Sequence, residues 1–261
     1  SRLLMKEALN VDSFRGMVKT VKAILIMTLC FECVGALLSF LVFSQDYPLG
    51  HAIGISIFHS IAAFNNSGFD ILGGLRNLIP YQTNVLLNLT TCGLIVFGGL
   101  GFLVILDILR NRNFRKLSLH SKAVITSTVV LIVTGTLILK ATEEVSWLGA
   151  LFHSVSARTA GFSTYAIGDF TNAGLFALCI LMFIGASPGS TGGGIKTSTF
   201  FVLIQSARSM FAKKPVGAFR RNIGKENVSK AYMITILSLA VVCIGAFLMC
   251  ILEPECSFCL R

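Results

Sequence analysis

Charge is scarce in this chain. Only 13% of its 261 residues are Asp, Glu, Lys or Arg, against roughly 25% in an ordinary globular domain. That excludes a self-repelling disordered chain and a charge-laced coiled coil. Acids are scarcer than bases, 12 against 22, so a carboxylate-rich metal cage or a paired-carboxylate catalyst has few residues to draw on. Proline occurs five times and tryptophan once, too little for a proline-rich linker. The eight cysteines do not read as a disulfide framework. Cys30, Cys33, Cys92, Cys179, Cys243 and Cys250 lie inside apolar runs, where a thiol is a small core residue. Cys256 and Cys259 form one C-x-x-C with no second pair nearby, half of a four-ligand zinc set.

What the chain has instead is hydrophobic sequence: 54% apolar residues and a mean hydropathy of +0.79. Five runs approach or pass the ~20 residues that a helix needs to cross hydrocarbon. They cover residues 18–43, 84–109, 123–139, 175–184 with 197–205, and 228–252. The first run contains Glu32 and is followed by four others, unlike a signal peptide. The reading is an all-α integral membrane protein.

Most basic residues stand in three clusters. Arg2, Lys6, Arg15, Lys19 and Lys22 precede or begin the first run; Arg110, Arg112, Arg115, Lys116 and Lys122 follow the second; a third cluster runs from Arg208 through Lys213, Lys214, Arg220 and Arg221 to Lys230. The positive-inside rule puts all three in the cytoplasm. Nucleic-acid binding is the poorer account of this charge, because it tracks the ends of the spans. Two further apolar stretches, HAIGISIFHSIAAF at 51–64 and WLGALFHSVSA at 147–157, are too short to cross. If either crossed, successive basic clusters would fall on opposite sides. Each is therefore expected to dip in from outside and return.

These stretches open an internal repeat. FHSIAAFNNSGFD begins at Phe58 and FHSVSARTAGFS at Phe152. Phe, His and Ser match in both, then Gly68-Phe69 matches Gly161-Phe162 with one residue fewer in the second copy. Each copy reads long span, short helix, Gly-Phe turn, long span, in parallel orientation, which disfavours inverted-repeat transporters. Glycine permits positive φ in a tight reversal. Carbonyls of such a turn can replace the water around a cation. Asn66, Ser67, Gly68 and Phe69, with Thr159, Ala160, Gly161 and Phe162, are the expected filter strands, with K+ at Gly68 and Gly161. The plainer alternative is two glycine turns with no ion.

A third motif is GASPGSTGGGIKT, residues 185–197. It nearly matches a phosphate cradle, G-x-x-x-x-G-K-[ST], but Ile195 separates Gly194 from Lys196 and no strand precedes it. The expectation is a deliberate break in a membrane helix. Gly185, Pro188, Gly189, Gly192, Gly193 and Gly194 disfavour helix, and Ser187, Ser190 and Thr191 supply hydroxyls to the backbone groups left unpaired. The loop would lie below the filter as a movable barrier, with Lys196 either repelling cations or anchoring it. The first copy's VFGGLGFLVILD is expected to stay continuous or merely bent.

FNNSGFD, ARTAGFS and the GASPGSTGGGIKT break together resemble the KtrB/TrkH family of bacterial potassium-uptake subunits, with KtrB the nearer. The resemblance spans nearly the whole chain. It implies helix–pore-loop–helix repeats, four in a complete set, each giving one filter glycine. It also implies a homodimer in the plasma membrane, a cytoplasmic nucleotide-binding RCK-type regulatory subunit (KtrA/TrkA-like), K+ as the transported ion and Na+ as an activator, with no nucleic acid and no enzymatic step. On this resemblance residues 1–17 end the first repeat and 18–110 are the second. Residues 119–209 are the third, with its gating loop at 185–197, and 228–252 begin the fourth. The 253–261 tail departs from the pattern. The set of four is then incomplete, lacking two filter strands, which leaves a non-conducting fragment as one alternative. A coupled secondary cation transporter is another.

Other residues carry smaller expectations. Glu32, mid-span, is either hydrogen-bonded between helices or on an ion path. Asp107 is expected to pair with Arg110 at i,i+3, and Arg158 to support filter carbonyls or acids from behind. His59 and His153 are expected to pack rather than bind metal. Asp70, Asp169, Glu143 and Glu144 read as solvated outer-loop charge.

Overall fold

The apolar runs become helices, three of them continuous and two broken, at Gly101 and at 184–196. The computed structural model describes residues 14–252 apart from 75 and 220. Arg2, Lys6, Arg220, the Cys256/Cys259 pair, the 253–261 tail and most of the 1–17 segment therefore lie outside the described residues. In chain order the helices are α1 (Phe14–Phe43), α2 (Leu49–Phe64), α3 (Val85–Leu100), α4 (Phe102–Asn111), α5 (Leu119–Thr142), α6 (Trp147–Ser156), α7 (Asn172–Phe183), α8 (Thr197–Ala212) and α9 (Lys225–Leu252). A two-residue hairpin, Gly217–Ala218 with Arg221–Asn222, precedes α9. By length and composition α1 from Val18, α5 and α9 can cross a membrane, and the α3–α4 pair adds a fourth span if its bend is counted within one.

Side-chain caps set several helix starts. Asn84, Ser118, Ser146 and Thr171 each accept from a backbone N–H in the first turn, at Leu87, Ser121, Gly149 and Gly174. They satisfy donors that a helix start otherwise leaves unpaired.

One packing arrangement occurs twice. In the first half α2 packs on α1 and α3; in the second α6 packs on α5, with α7 against α5. Ser60 Oγ of α2 donates to the Glu32 carbonyl of α1 at 2.7 Å, and Gly35 leaves room for it, since a Cβ there would collide with the Ser60 hydroxyl and the Leu94 methyls. Ser154 Oγ of α6 donates to the Ile132 carbonyl of α5 at 2.9 Å, and a Cβ on Gly135 would collide with the Ser154 hydroxyl and the Leu181 methyls. The halves meet where α3 packs on α6. Their common core holds Phe43, Phe64, Phe152 and Phe162, all essentially inaccessible.

The break at 184–196 is present between α7 and α8. The first copy departs from expectation. Instead of continuing or merely bending, it breaks at Gly101, and α3 and α4 meet at 95°. Gly101 takes φ +89, and the Phe102 N–H that opens α4 donates to the Gly189 carbonyl at 3.0 Å. The partner that makes this sharp turn tolerable comes from the other break.

Candidate functional site

Each short helix ends in the turn that its sequence promised. At the end of α2, Asn66 takes φ +51 and Gly68 φ +70; at the end of α6, Thr159 takes φ +73 and Gly161 φ +82. Left-handed backbone costs a side-chain-bearing residue about 1–2 kcal/mol, so the turns need hydrogen bonds to hold them. The Ser67 N–H donates to Ala62 O at 3.0 Å, and the Ala160 N–H to Ser156 O at 2.9 Å. Ser156 Oγ donates to Phe162 O at 2.5 Å.

The two turns lie against one another. A Cβ on Gly68 would stand 2.6 Å from Ala160 O and 2.8 Å from Gly161 Cα, and a Cβ on Gly161 would stand 3.3 Å from Gly68 Cα. Their phenylalanines differ. Phe162 is 2% exposed, edge-on to the His59 ring of α2 at 5.3 Å. Phe69 is 68% exposed. The histidines differ too. His59 Nε2 is hydrogen-bonded to Thr91 Oγ1 of α3 at 2.8 Å, whereas His153 Nε2 is buried without a partner. His153 lines a cavity of about 310 Å³ with Ser67, Thr159, Leu175 and Leu178. No group of three His, Cys, Asp or Glu able to hold a metal occurs among the described residues.

The 185–197 segment folds back on itself in contact with both turns, through Thr191 to Asn66 and through Gly192 beside Thr159. The Gly185 N–H donates to Ile195 O and the Ala186 N–H to Gly193 O, each at 3.0 Å. Gly185 must lack a side chain, because a Cβ would run into the Gly193 carbonyl. Ser187 and Thr197, both fully buried, join hydroxyls at 2.9 Å. Ser190 Oγ donates to Ser187 O at 2.6 Å. Gly189 and Gly194 take φ +69 and +71. Lys196 Nζ donates to Gly192 O at 2.7 Å, a bond within the loop. Pro188 sits over the α3–α4 break, its carbonyl 2.7 Å from where a Gly101 Cβ would be.

Several residues behave otherwise than the sequence suggested. Asp107 does not pair with Arg110. It accepts from Asn111 Nδ2 and Ser121 Oγ at 2.5 Å each and from the Ser118 N–H at 3.0 Å, neutral donors that a helix end and a cap place around it. Among the described residues the ion pair present is Lys230–Glu226. Glu143 is not solvated charge. It is 8% exposed and accepts from Thr171 Oγ1 at 2.6 Å and the Thr171 N–H at 3.1 Å, fixing the start of α7. Arg158 is buried, its Nε has no partner, and it forms no ion pair with an acid among the described residues. Glu32 Oε1 accepts from Asn65 Nδ2 at 3.0 Å, an inter-helix bond at the mouth of the first turn. The sequence did not single out Asn77, which takes φ +49 and accepts from the Ser163 N–H at 3.1 Å. Nor did it single out Tyr81, whose hydroxyl donates to Asp46 at 2.8 Å. Burial, and then the Asp46 carboxylate, push the Tyr81 pKa up, which keeps it a donor.

The profile of a family described as "TrkH: Cation transport protein" matches residues 2–256. The chain is 33% identical to the potassium/sodium uptake protein NtpJ of Enterococcus hirae over 97% of its length and 58% of that protein's. It is likewise 33% identical to the Ktr system potassium uptake protein B of Bacillus subtilis, over 97% of this chain and 59% of that one. The Vibrio alginolyticus protein of the same name is 34% identical, over 96% and 58%. The chain thus spans under two thirds of the length of these relatives. Its backbone superposes on the crystal structure of the potassium transporter TrkH from Vibrio parahaemolyticus with a TM-score of 0.71 and 22% identity, over 91% of this chain and 52% of that one, which shows a shared fold.

Proposed function

The chain belongs to the TrkH family of cation transport proteins, and from that premise we propose that it supplies two filter turns and the gate of a potassium-conducting pore in the plasma membrane. The observation that carries this reading is the close opposition of Gly68 and Gly161. Both take positive φ at the C-terminal ends of short helices, the first half-buried and the second mostly buried. Helix C-termini carry partial negative charge, which favours a cation in front of them. Peptide carbonyls at Asn66–Phe69 and Thr159–Phe162 take the place of the ion's hydration shell. The loop from Gly185 to Thr197, which contacts both turns, is the barrier whose withdrawal lets ions through.

Relatives named as members of a Ktr system support a second component. We assign it to an RCK-type nucleotide-binding subunit on the basic cytoplasmic side, with a second copy of the pore subunit as partner. The name of the Enterococcus relative, which includes both ions, supports sodium as activator. The intact protein in liposomes tests the reading. Potassium flux that follows the imposed voltage and needs no counter-ion fits a gated pore. Flux that stops when the counter-ion is removed rejects it in favour of a coupled transporter.

A further inference from the structure

We propose that Thr191 of the loop and Asn66 of the first filter turn form a latch, so that the loop cannot leave its seat without releasing the filter. This rests on the reading of the loop as a gate. Asn66 Nδ2 donates to Thr191 Oγ1 at 2.8 Å, and Thr191 Oγ1 donates to Phe64 O at 3.0 Å. A hydroxyl has one proton to give. Thr191 gives it to a pore-helix carbonyl that the end of α2 leaves without an intrahelical partner, and it receives the filter amide in return. The backbone reinforces the seat. The Ser187 N–H donates to Gly99 O at 3.0 Å and the Phe102 N–H to Gly189 O at 3.0 Å. Gly98 is required here, because a Cβ would collide with Phe64 O. On the other side, a Cβ on Gly192 would stand 2.7 Å from Thr159 Oγ1 of the second turn, so one loop touches both filter turns.

The latch gives gate and filter a shared energy. Asn66 Oδ1 is already buried without a partner, so the Nδ2 bond to Thr191 is the side chain's tie. Withdrawing the loop strands Asn66 Nδ2 and frees Phe64 O, whose helix end then faces the ion route uncapped. A filter turn held in left-handed backbone loses its brace at the moment the gate opens.

The test uses the intact protein in membranes carrying Ser187→Cys, a position 0% exposed when the loop is seated. Labelling by a water-soluble thiol reagent from the cytoplasmic side is read peptide by peptide by mass spectrometry, which sets the native thiols aside. Thr191→Val keeps the volume and removes the hydroxyl; Asn66→Asp keeps the size and the tolerance of positive φ and removes the donor. Thr191→Val, which loses two ordinary hydrogen bonds, is expected to speed labelling about tenfold, and Asn66→Asp, which loses one, about threefold. The double variant is expected to go no further than Thr191→Val alone, because that change already removes the bond the two residues share. Thr191→Ser is expected to label at the parent rate. Unchanged labelling in Thr191→Val and Asn66→Asp, or equal acceleration by Thr191→Ser, overturns the latch, and if Thr191→Val does not fold, Asn66→Asp decides alone. Labelling does not depend on which ion passes. Acceleration without potassium flux would leave the latch standing and remove the potassium reading; flux with unchanged labelling would do the reverse.

Discussion

The carbonyl oxygen of Ala160 lies 2.6 Å from the point where a side chain on Gly68 would begin. The turns at Gly68 and Gly161 are therefore in backbone contact, and Gly68 is the tighter of the two glycines. Gly68→Ala is expected to combine left-handed strain of about 1–2 kcal/mol with a clash against backbone that cannot rotate away. Gly161→Ala carries the strain alone, its nearest neighbour standing at 3.3 Å. Thermal unfolding in detergent should show the larger loss for Gly68→Ala. Equal losses would mean that the turns are further apart than described.

The serine seats on α1 and α5 predict matched effects in the two halves. Gly35→Ala and Gly135→Ala each push a Cβ into a serine hydroxyl and two leucine methyls. Overpacking of this kind costs about 1–3 kcal/mol. Denaturation curves of the two variants should shift together. A shift in only one would break the equivalence of the halves.

The histidines predict an asymmetry. Thr91→Val leaves His59 Nε2 buried without its partner, a loss of about 1–3 kcal/mol. His153 Nε2 has no such partner to lose, and the neighbouring Leu178 in its cavity can become Val at the smaller cost of lost packing, about 1 kcal/mol. Unfolding midpoints compare the two; a harmless Thr91→Val would show that the His59 bond contributes nothing.

Lys196 separates anchoring from charge. Lys196→Met removes both, and basal cation flux should rise several-fold as the loop loses its bond to Gly192 O. Lys196→Gln keeps a donor without the charge and should stay near the parent flux. If Gln opens the pore as fully as Met, the charge rather than the bond holds the barrier.

Much of this was legible from local sequence. The spans follow from apolar runs, the left-handed turns from a short helix ending in Gly-Phe, and the loop from Pro188 with its glycines. What escaped were features whose cause lies far along the chain. VFGGLGF looked no worse than a bend, because its break at Gly101 depends on Gly189 offering a carbonyl to Phe102. Glu143 looked like outer-loop charge because its partner Thr171 is distant in sequence and meets it only after α6 folds in between. Asp107 had Arg110 at a suitable spacing, but Ser118 and Ser121 reach its carboxylate across the next turn. The Asn66–Thr191 bond joins two motifs expected to lie near one another, but the residue pair that joins them is far apart along the chain and had no local signal.

The measurement that bears most directly on the central claim is the reversal potential of the intact protein under a potassium–sodium gradient, before and after Gly161→Ser. The account predicts a potassium-selective potential that moves toward sodium by the equivalent of about a tenfold fall in permeability ratio, on the order of one well-placed coordinating contact. A potential that is indifferent to potassium, or unmoved by the substitution, contradicts it.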